Sequence, residues 1–344
     1  MLLLRTLVLL PMLAFHPPSA SLALGGQRIA LDRATAEHVF VSHAHSDHAP
    51  KGIRKVFATN ATLDLLKARG HKVEHHPLVA DGAEVTLLNA GHVLGSAQLL
   101  VEGNGQRFCY TGDFKLHNSL TVPGADIPQC DTLVMEATYG HPRYVFPDRD
   151  EVCHQIGSWV RSQLDSGNSV VLGGYSLGKA QELVKLCNQE LGLAPLVPET
   201  IAELNTIYKK HGVALEWLNT ETPEAQRMLE RHEPFVAVLP SNQVSWPLAA
   251  RLQKIHGRKF STAVGTGWAL DHRFSGVDKA FCLSDHADFD QLIQYAEGTG
   301  AKQIYTVYGH HEELAAHLRQ RGLDAQPLEK PQPARGQHKL SAFA

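Results

Sequence analysis

Short apolar runs recur along the chain, and most of them end abruptly in a histidine or a carboxylate. Residues 37–41 (EHVFV) run into Ser42-His43-Ala44-His45-Ser46-Asp47-His48, and residues 84–89 (EVTLLN) into Ala90-Gly91-His92. Residues 107–111 (RFCYT) lead to Gly112-Asp113, and 132–135 (TLVM) to Glu136-Ala137-Thr138-Tyr139-Gly140. Later, 280–283 (AFCL) precede Ser284-Asp285-His286, and 303–307 (QIYTV) precede Tyr308-Gly309-His310-His311. Runs of this length, bounded by turn residues, predict β-strands. Six strands would then each deliver a titratable side chain at their C-terminal ends, the edge where layered α/β folds build their sites.

Between these blocks the periodicity changes. Val152, Ile156, Trp159, Val160 and Leu164 recur at helical spacing and predict an amphipathic helix over 151–167. A buried-type strand at 169–173 (SVVLG) follows, then the turn Tyr175-Ser176-Leu177-Gly178-Lys179 and a second helix through Leu191. Residues 151–265 alternate helix and strand like an inserted α/β subdomain. The site-bearing strands resume after 265, which makes the first domain discontinuous, 21–150 plus 266–329. Residues 330–344 read as a tail. In the apolar N-terminal segment 1–20, residues 1–15 are apolar with one Arg and too short to span a membrane, and residues 17–23 offer small residues like those of a signal cleavage site. The competing reading is an over-long start or an extra strand on the core. A cytoplasmic protein without stable membrane association is the expectation adopted, with export as the alternative.

Composition adds bounds. At 344 residues, 43% hydrophobic and 19% charged, the chain can bury a large core. A net charge near −3 gives no global basic signature for nucleic acid, although a local basic groove can act within an acidic chain. The five cysteines form no CxxC pair, so neither a disulfide framework nor a thiolate metal site is indicated.

The densest chemistry is the HxHxDH run. His43 and His45 point the same way on an extended segment, and Asp47 and His48 turn back from the loop. His43, His45 and His92 suit one metal and Asp47 with His48 a second, with Asp113 as the bridge. These nitrogen and oxygen donors fit zinc or manganese, and imidazole argues against magnesium or calcium alone. Such a pair of ions serves the hydrolysis of phosphodiesters, thioesters or lactams, so the chemistry alone leaves the substrate open.

HAHSDH, AGHVLGSAQ, YTGDFK, MEATYG, YSLGKAQEL and LSDHADF, in this order and across about residues 25–325, resemble the metallo-β-lactamase-fold β-CASP nucleases. The likeness is to the bacterial ligase-associated DNA exonucleases, often labelled 3′-end mRNA-processing-like. It implies an α/β fold: a metallo-β-lactamase αββα sandwich with an inserted β-CASP α/β subdomain. It further implies His43, His45, Asp47, His48, His92 and Asp113 as ligands of two divalent metals. Glu136 and His286 become an orienting carboxylate and the general acid, and Asp47 joins them among the catalytic residues. The turn opening the second helix could hold a substrate phosphate through Ser176, Gly178 and Lys179, and the resemblance strengthens that reading. Lys115 is another candidate for the nucleic-acid backbone. One departure stands out: where RNA-cutting members carry a last metal-binding histidine, this chain has Tyr308, and His310 is expected to substitute.

The expectation is therefore a metal-dependent phosphodiesterase, a DNA exonuclease in which metal-activated hydroxide attacks phosphorus and His286 protonates the leaving oxygen. Single-stranded DNA is the favoured substrate and RNA the alternative, in DNA repair or RNA processing. A functional association with a DNA ligase follows from the resemblance. Competing readings are an RNA-processing nuclease, a small-molecule ester, thioester or lactam hydrolase, and a catalytically weak scaffold subunit.

Overall fold

The computed structural model describes residues 13–78, 82–231 and 233–328. Most of the apolar N-terminal segment, residues 1–12, and the expected tail at 330–344 lie outside the described residues. What is described of that segment is a strand: β1 (Leu13–His16) pairs antiparallel with β2 (Ser21–Leu24) at the edge of a sheet. The sheet continues through β3 (Gln27–Leu31), β4 (His38–Phe40), β5 (Lys55–Phe57) and β6 (Glu74–His75), with α1 (Asn60–Ala68) between its last two strands. A second sheet begins with the meander β7 (Ala83–Asn89), β8 (Ala97–Gly103) and β9 (Gln106–Tyr110), to which β10 (Thr132–Glu136) adds in parallel.

After α2 (Arg149–Asp165), which Asp148 caps by accepting from the Glu151 N–H, the chain builds a third, all-parallel sheet. Its strands are β11 (Ser169–Gly174), β12 (Leu196–Val197), β13 (Leu218–Asn219), β14 (Val236–Pro240), β15 (Phe260–Gly265) and β16 (Lys279–Phe281), in spatial order β13-β12-β14-β11-β15-β16. The helices between them are α3 (Lys179–Leu186), α4 (Glu199–Lys210), α5 (Pro223–Glu230) and α6 (Trp246–His256). The chain then returns to the second sheet with α7 (Phe289–Gly298), β17 (Gln303–Val307), α8 (His311–Gln320) and β18 (Ala325–Pro327). That sheet reads β18-β17-β10-β9-β8-β7.

Side-chain alternation explains the layering. Val134 of β10 and Tyr305 and Val307 of β17 face Leu22, Ile29, Leu31 and Phe40 of the first sheet, and form the core between the two sheets. Their neighbours Leu133, Met135 and Ile304 face the other way, onto Leu292, Ile293 and Tyr295 of α7 and Leu314 and Leu318 of α8. A period of two thus fills two cores from one strand. On the far side of the first sheet, Val39 and Val56 pack with Leu65 and Leu66 of α1. The result is the αββα sandwich with an added parallel α/β unit.

One boundary differs from expectation. The strand before His286 belongs to the third sheet: β16 pairs in parallel with β15, with Gly265 opposite Phe281. The expected break at residue 265 therefore falls within that sheet. Short apolar strands show from sequence that they pair, but not with which sheet.

Candidate metal centre

The segments that follow β4, β7, β9, β10 and β16 bring their histidines and carboxylates together. His43, His45, His92 and Asp113 present ligand atoms that all lie within 4.8 Å of one another. The His45 Nδ1 atom is 3.1 Å from His43 Nε2 and 3.0 Å from His92 Nε2. Asp113 Oδ2 lies 3.5 Å from His43 Nε2, 3.7 Å from His92 Nε2 and 3.3 Å from His48 Nε2, central to both halves of the site. Asp47, its side chain 76% exposed, reaches within 3.9 Å of His48 Nε2 through Oδ2. Gly112 precedes Asp113 at a positive φ of 56°, and a Cβ there would meet Ser42 Cβ at 2.4 Å. Only glycine lets the two loops approach so closely.

The other ring nitrogen of each histidine is already committed. His45 Nε2–H donates to the Leu177 carbonyl at 3.0 Å, and His92 Nδ1–H donates to the Asp285 carbonyl at 2.9 Å. His48 Nδ1–H donates to Asp32 Oδ2 at 2.8 Å. Ser42 Oγ–H donates to that same oxygen at 2.6 Å and accepts from His43 Nδ1–H at 3.0 Å. Every neutral imidazole is therefore held in the tautomer whose lone pair points inward. Three nitrogen lone pairs and a carboxylate at 3.0–3.7 Å repel one another unless a cation lies among them. With bonds of about 2.0–2.2 Å, a zinc-sized ion fits this donor set.

Electrostatics agree. Burial pushes the His43 and His92 imidazoles well below their ordinary range, so both stand neutral, as ligands must. Burial opposes charge on His48 as well, but Asp113, Tyr308 and Asp32 outweigh it and raise it well above that range. Burial likewise opposes ionisation of Asp113, yet the His48 and His286 imidazoles hold its carboxyl well below the usual carboxylate range.

Beside this cluster stands the acid pair. Glu136, fully buried at the end of β10, accepts from the Phe114 N–H at 2.8 Å and the Thr138 N–H at 3.3 Å. Its two oxygens also receive His286 Nδ1–H at 3.0 and 3.1 Å. The His286 ring lies 4.5 Å from that of His92, centroid to centroid. Burial disfavours its charge, but Glu136 and Asp113 prevail and raise it to about 9. A cavity of about 80 Å³ next to His286 is lined by Lys115, Arg149, Ser284 and Gln291 among others. Lys115, buried and with no partner on Nζ among the described residues, is pushed down to about 7 by burial and the Arg149 guanidinium.

Four expected site residues are placed elsewhere. Lys179 is 3% exposed and ion-paired with Asp285 at 2.6 Å and Glu182 at 3.2 Å, so its ammonium is spent inside the protein. The Gly178 N–H is taken by Gln181 Oε1 at 2.7 Å. Gly178 lies at φ 95°, and a Cβ there would fall 2.5 Å from Val93: its part is to press the turn onto the His92 loop. Ser176 is half-buried, its carbonyl accepting from Gln181 Nε2. The turn thus braces the His92 loop, with the Lys179 ammonium and the Gly178 N–H already paired. His310 is not brought to the cluster either. The backbone turns left-handed at Tyr308 and Gly309, φ 61° and 44°, which carries the His310 ring to His141 and Tyr144. Tyr308 itself covers His48, with ring centroids 4.9 Å apart.

Asp32 escaped the sequence reading. It accepts from the Ser42 N–H, Ser42 Oγ, His48 Nδ1 and the Tyr110 hydroxyl, all within 2.8 Å. The available signal was its place directly after the apolar run QRIAL, the same strand-end rule that found the others.

No protein-family model matches the chain. A 302-residue stretch is 35% identical to a protein of Opitutus terrae named a probable DNA ligase, covering 83% of this chain and 28% of that one. An RNase J-like protein of Methanocaldococcus jannaschii is 26% identical over 241 residues, 61% of this chain and 57% of that one. The chain belongs to the metallo-β-lactamase-fold β-CASP family. This β-CASP chain spans between about a quarter and a little over half of those two relatives' lengths. A crystal structure of a protein of unknown function from Enterococcus faecalis V583 shares the fold, with TM-score 0.54 at 15% identity, over 87% of this chain and 80% of that one. Within the β-CASP frame, the clusters fit divalent metal ions. Among the described residues no helix is long and apolar enough to cross a membrane.

Proposed function

We propose that this β-CASP chain is a metal-dependent nuclease that hydrolyses phosphodiester bonds of single-stranded DNA from an end. The observation that carries the reading is the His286–Glu136 pair beside the ligand cluster. Hydrolysis of a phosphodiester breaks a P–O bond and releases a sugar alkoxide that needs a proton, and an imidazole backed by a buried carboxylate is a charged, oriented donor for it.

His43, His45, His92 and Asp113 would hold one ion, and Asp47, His48 and Asp113 the other, with zinc the proposed metal. Bound there, the ions supply a nucleophile at neutral pH and neutralise charge developing on the phosphoryl oxygens. The chain does the rest. Glu136 fixes His286 with Nε2 free to protonate the leaving oxygen, and Asp32 and the Leu177 and Asp285 carbonyls keep the imidazoles aimed. Lys115 and Arg149 line the cavity at His286, and a phosphate entering it would draw Lys115, pushed down to about 7, back to its charged form.

The DNA preference is drawn from the Opitutus terrae relative named a probable DNA ligase, which also motivates a proposed functional link to ligation. The RNase J-like relative makes RNA the second reading. The five cysteines are all unpaired, which fits a reducing compartment and supports a cytoplasmic placement. The deciding experiment is metal analysis joined to cleavage of end-labelled single-stranded DNA and RNA. Successive loss of nucleotides from one DNA end is the expected result. Metal-loaded protein that leaves both polymers intact and turns over a thioester or lactam overturns the nuclease reading.

A further inference from the structure

We infer that metal loading and docking of the third-sheet unit on the sandwich form one coupled equilibrium, in which Lys179 is the positioning residue. The inference rests on the metal-centre reading but not on the identity of the substrate.

Two of the converging imidazoles sit on the sandwich but take their orientation from across the seam. His45 donates to the carbonyl of Leu177, in the turn after β11, and His92 to the carbonyl of Asp285, where the chain leaves β16. These two carbonyls lie 108 residues apart in sequence and are tied by one ion pair, Lys179 Nζ to Asp285 Oδ1 at 2.6 Å. Lys179 is itself held by Glu182, which also pairs with Arg149, and Arg149 donates to the Ser284 carbonyl at 2.8 Å. The same seam is closed by the Leu94 N–H donating to the Tyr208 hydroxyl of α4 at 3.2 Å and by Gly178 against Val93.

Release of the third-sheet unit would free both ring N–H groups, and the imidazoles could turn their lone pairs away. An ion at the centre favours the inward tautomers, and hence the docked arrangement. By thermodynamic reciprocity, whatever tightens docking tightens metal binding by the same factor. Lys179 touches no ligand atom directly; it acts through Asp285 and through the start of α3 beside Leu177.

The test measures affinity for zinc or manganese by chelator competition, together with amide hydrogen exchange, in the full chain. Lys179→Met should weaken metal binding by about 10–100-fold, as loss of an orienting partner does, and Lys179→Arg should restore most of it. Lys302→Met, which removes the exposed pair with Asp131, should leave affinity unchanged. In the wild type, metal should slow exchange in residues 177–186 and 204–208, beyond the ligand loops. Unaltered affinity in a folded Lys179→Met protein overturns the coupling. Should that variant fail to fold, wild-type exchange decides: metal protection confined to the loops at 43–48, 92 and 113 overturns it. A wild type that binds no divalent ion would instead overturn the metal-centre reading itself.

Discussion

Replacing Glu136 by Gln keeps the shape of the acid pair and removes its charge. In the wild type, His286 is raised to about 9 from an ordinary 6.5, a preference for the imidazolium of about 3 kcal/mol. Burial pulls against that preference, and Glu136 is the strongest of the groups that overcome it. Without the carboxylate, the imidazole should titrate at or below its ordinary value. At pH 8 the wild-type residue without metal is then about nine-tenths protonated and the variant's at most a few per cent; bound cations would lower both while leaving the Glu136 difference between them. If His286 donates the proton in the rate-limiting step, kcat/KM on single-stranded DNA should fall at least about 30-fold at pH 8. The loss should shrink as the pH is lowered toward 6, because acid restores the imidazolium. The assay is a pH profile of both proteins with metal content checked at every point. An equal loss at all pH values would refute the argument, since it would assign Glu136 a role in holding the fold rather than in charging His286. An unchanged profile would refute it equally.

In the metal-free protein the same pair gives stability its own pH dependence. A group raised on folding contributes fully below about 6.5 and loses that contribution as pH rises through about 9, so Tm should decline more steeply across that window in the wild type than in Glu136→Gln, where His48 still contributes. Asp32→Asn sets an amide against donors from Ser42, His48 and Tyr110; a stability loss on the order of 3 kcal/mol and a 10–100-fold weaker second metal are expected, read by denaturation and chelator titration. His310→Ala should leave metal stoichiometry and cleavage at wild-type values, and a lost equivalent of metal would return His310 to the site.

The strand ends were legible because an apolar run closed by a histidine or carboxylate is a local pattern. It located His43, His45, His92, Asp113, Glu136 and His286, which the fold gathers into two touching clusters. Properties set by distant neighbours were not legible. The burial of Lys179 depends on Asp285, more than a hundred residues later, and sequence spacing cannot distinguish a lysine awaiting phosphate from one already paired. The placement of His310 turns on two left-handed residues, and a Tyr-Gly dipeptide does not announce that conformation. Asp32 stood alone in the sequence with no cluster to draw attention to it, although four donors meet it in space. The sheet membership of β16 was hidden for the same reason, because a three-residue strand carries no signature of its partner.

Asp32 has a consequence for how the centre fills. Ser42, His48 and Tyr110 are anchored on it directly and His43 through Ser42, so hydrogen bonds within the chain, none of them to an ion, help to shape the ligand loops. Uptake is then closer to exchange at a finished socket than to the folding-on-binding of small zinc modules. His48 is drawn toward protonation by Asp113, Tyr308 and Asp32, and to bind an ion it must give up that proton. Stripping with a chelator should therefore leave a folded protein that recharges reversibly, taking up a proton at His48 as the second ion leaves and recharging more slowly as the medium is acidified.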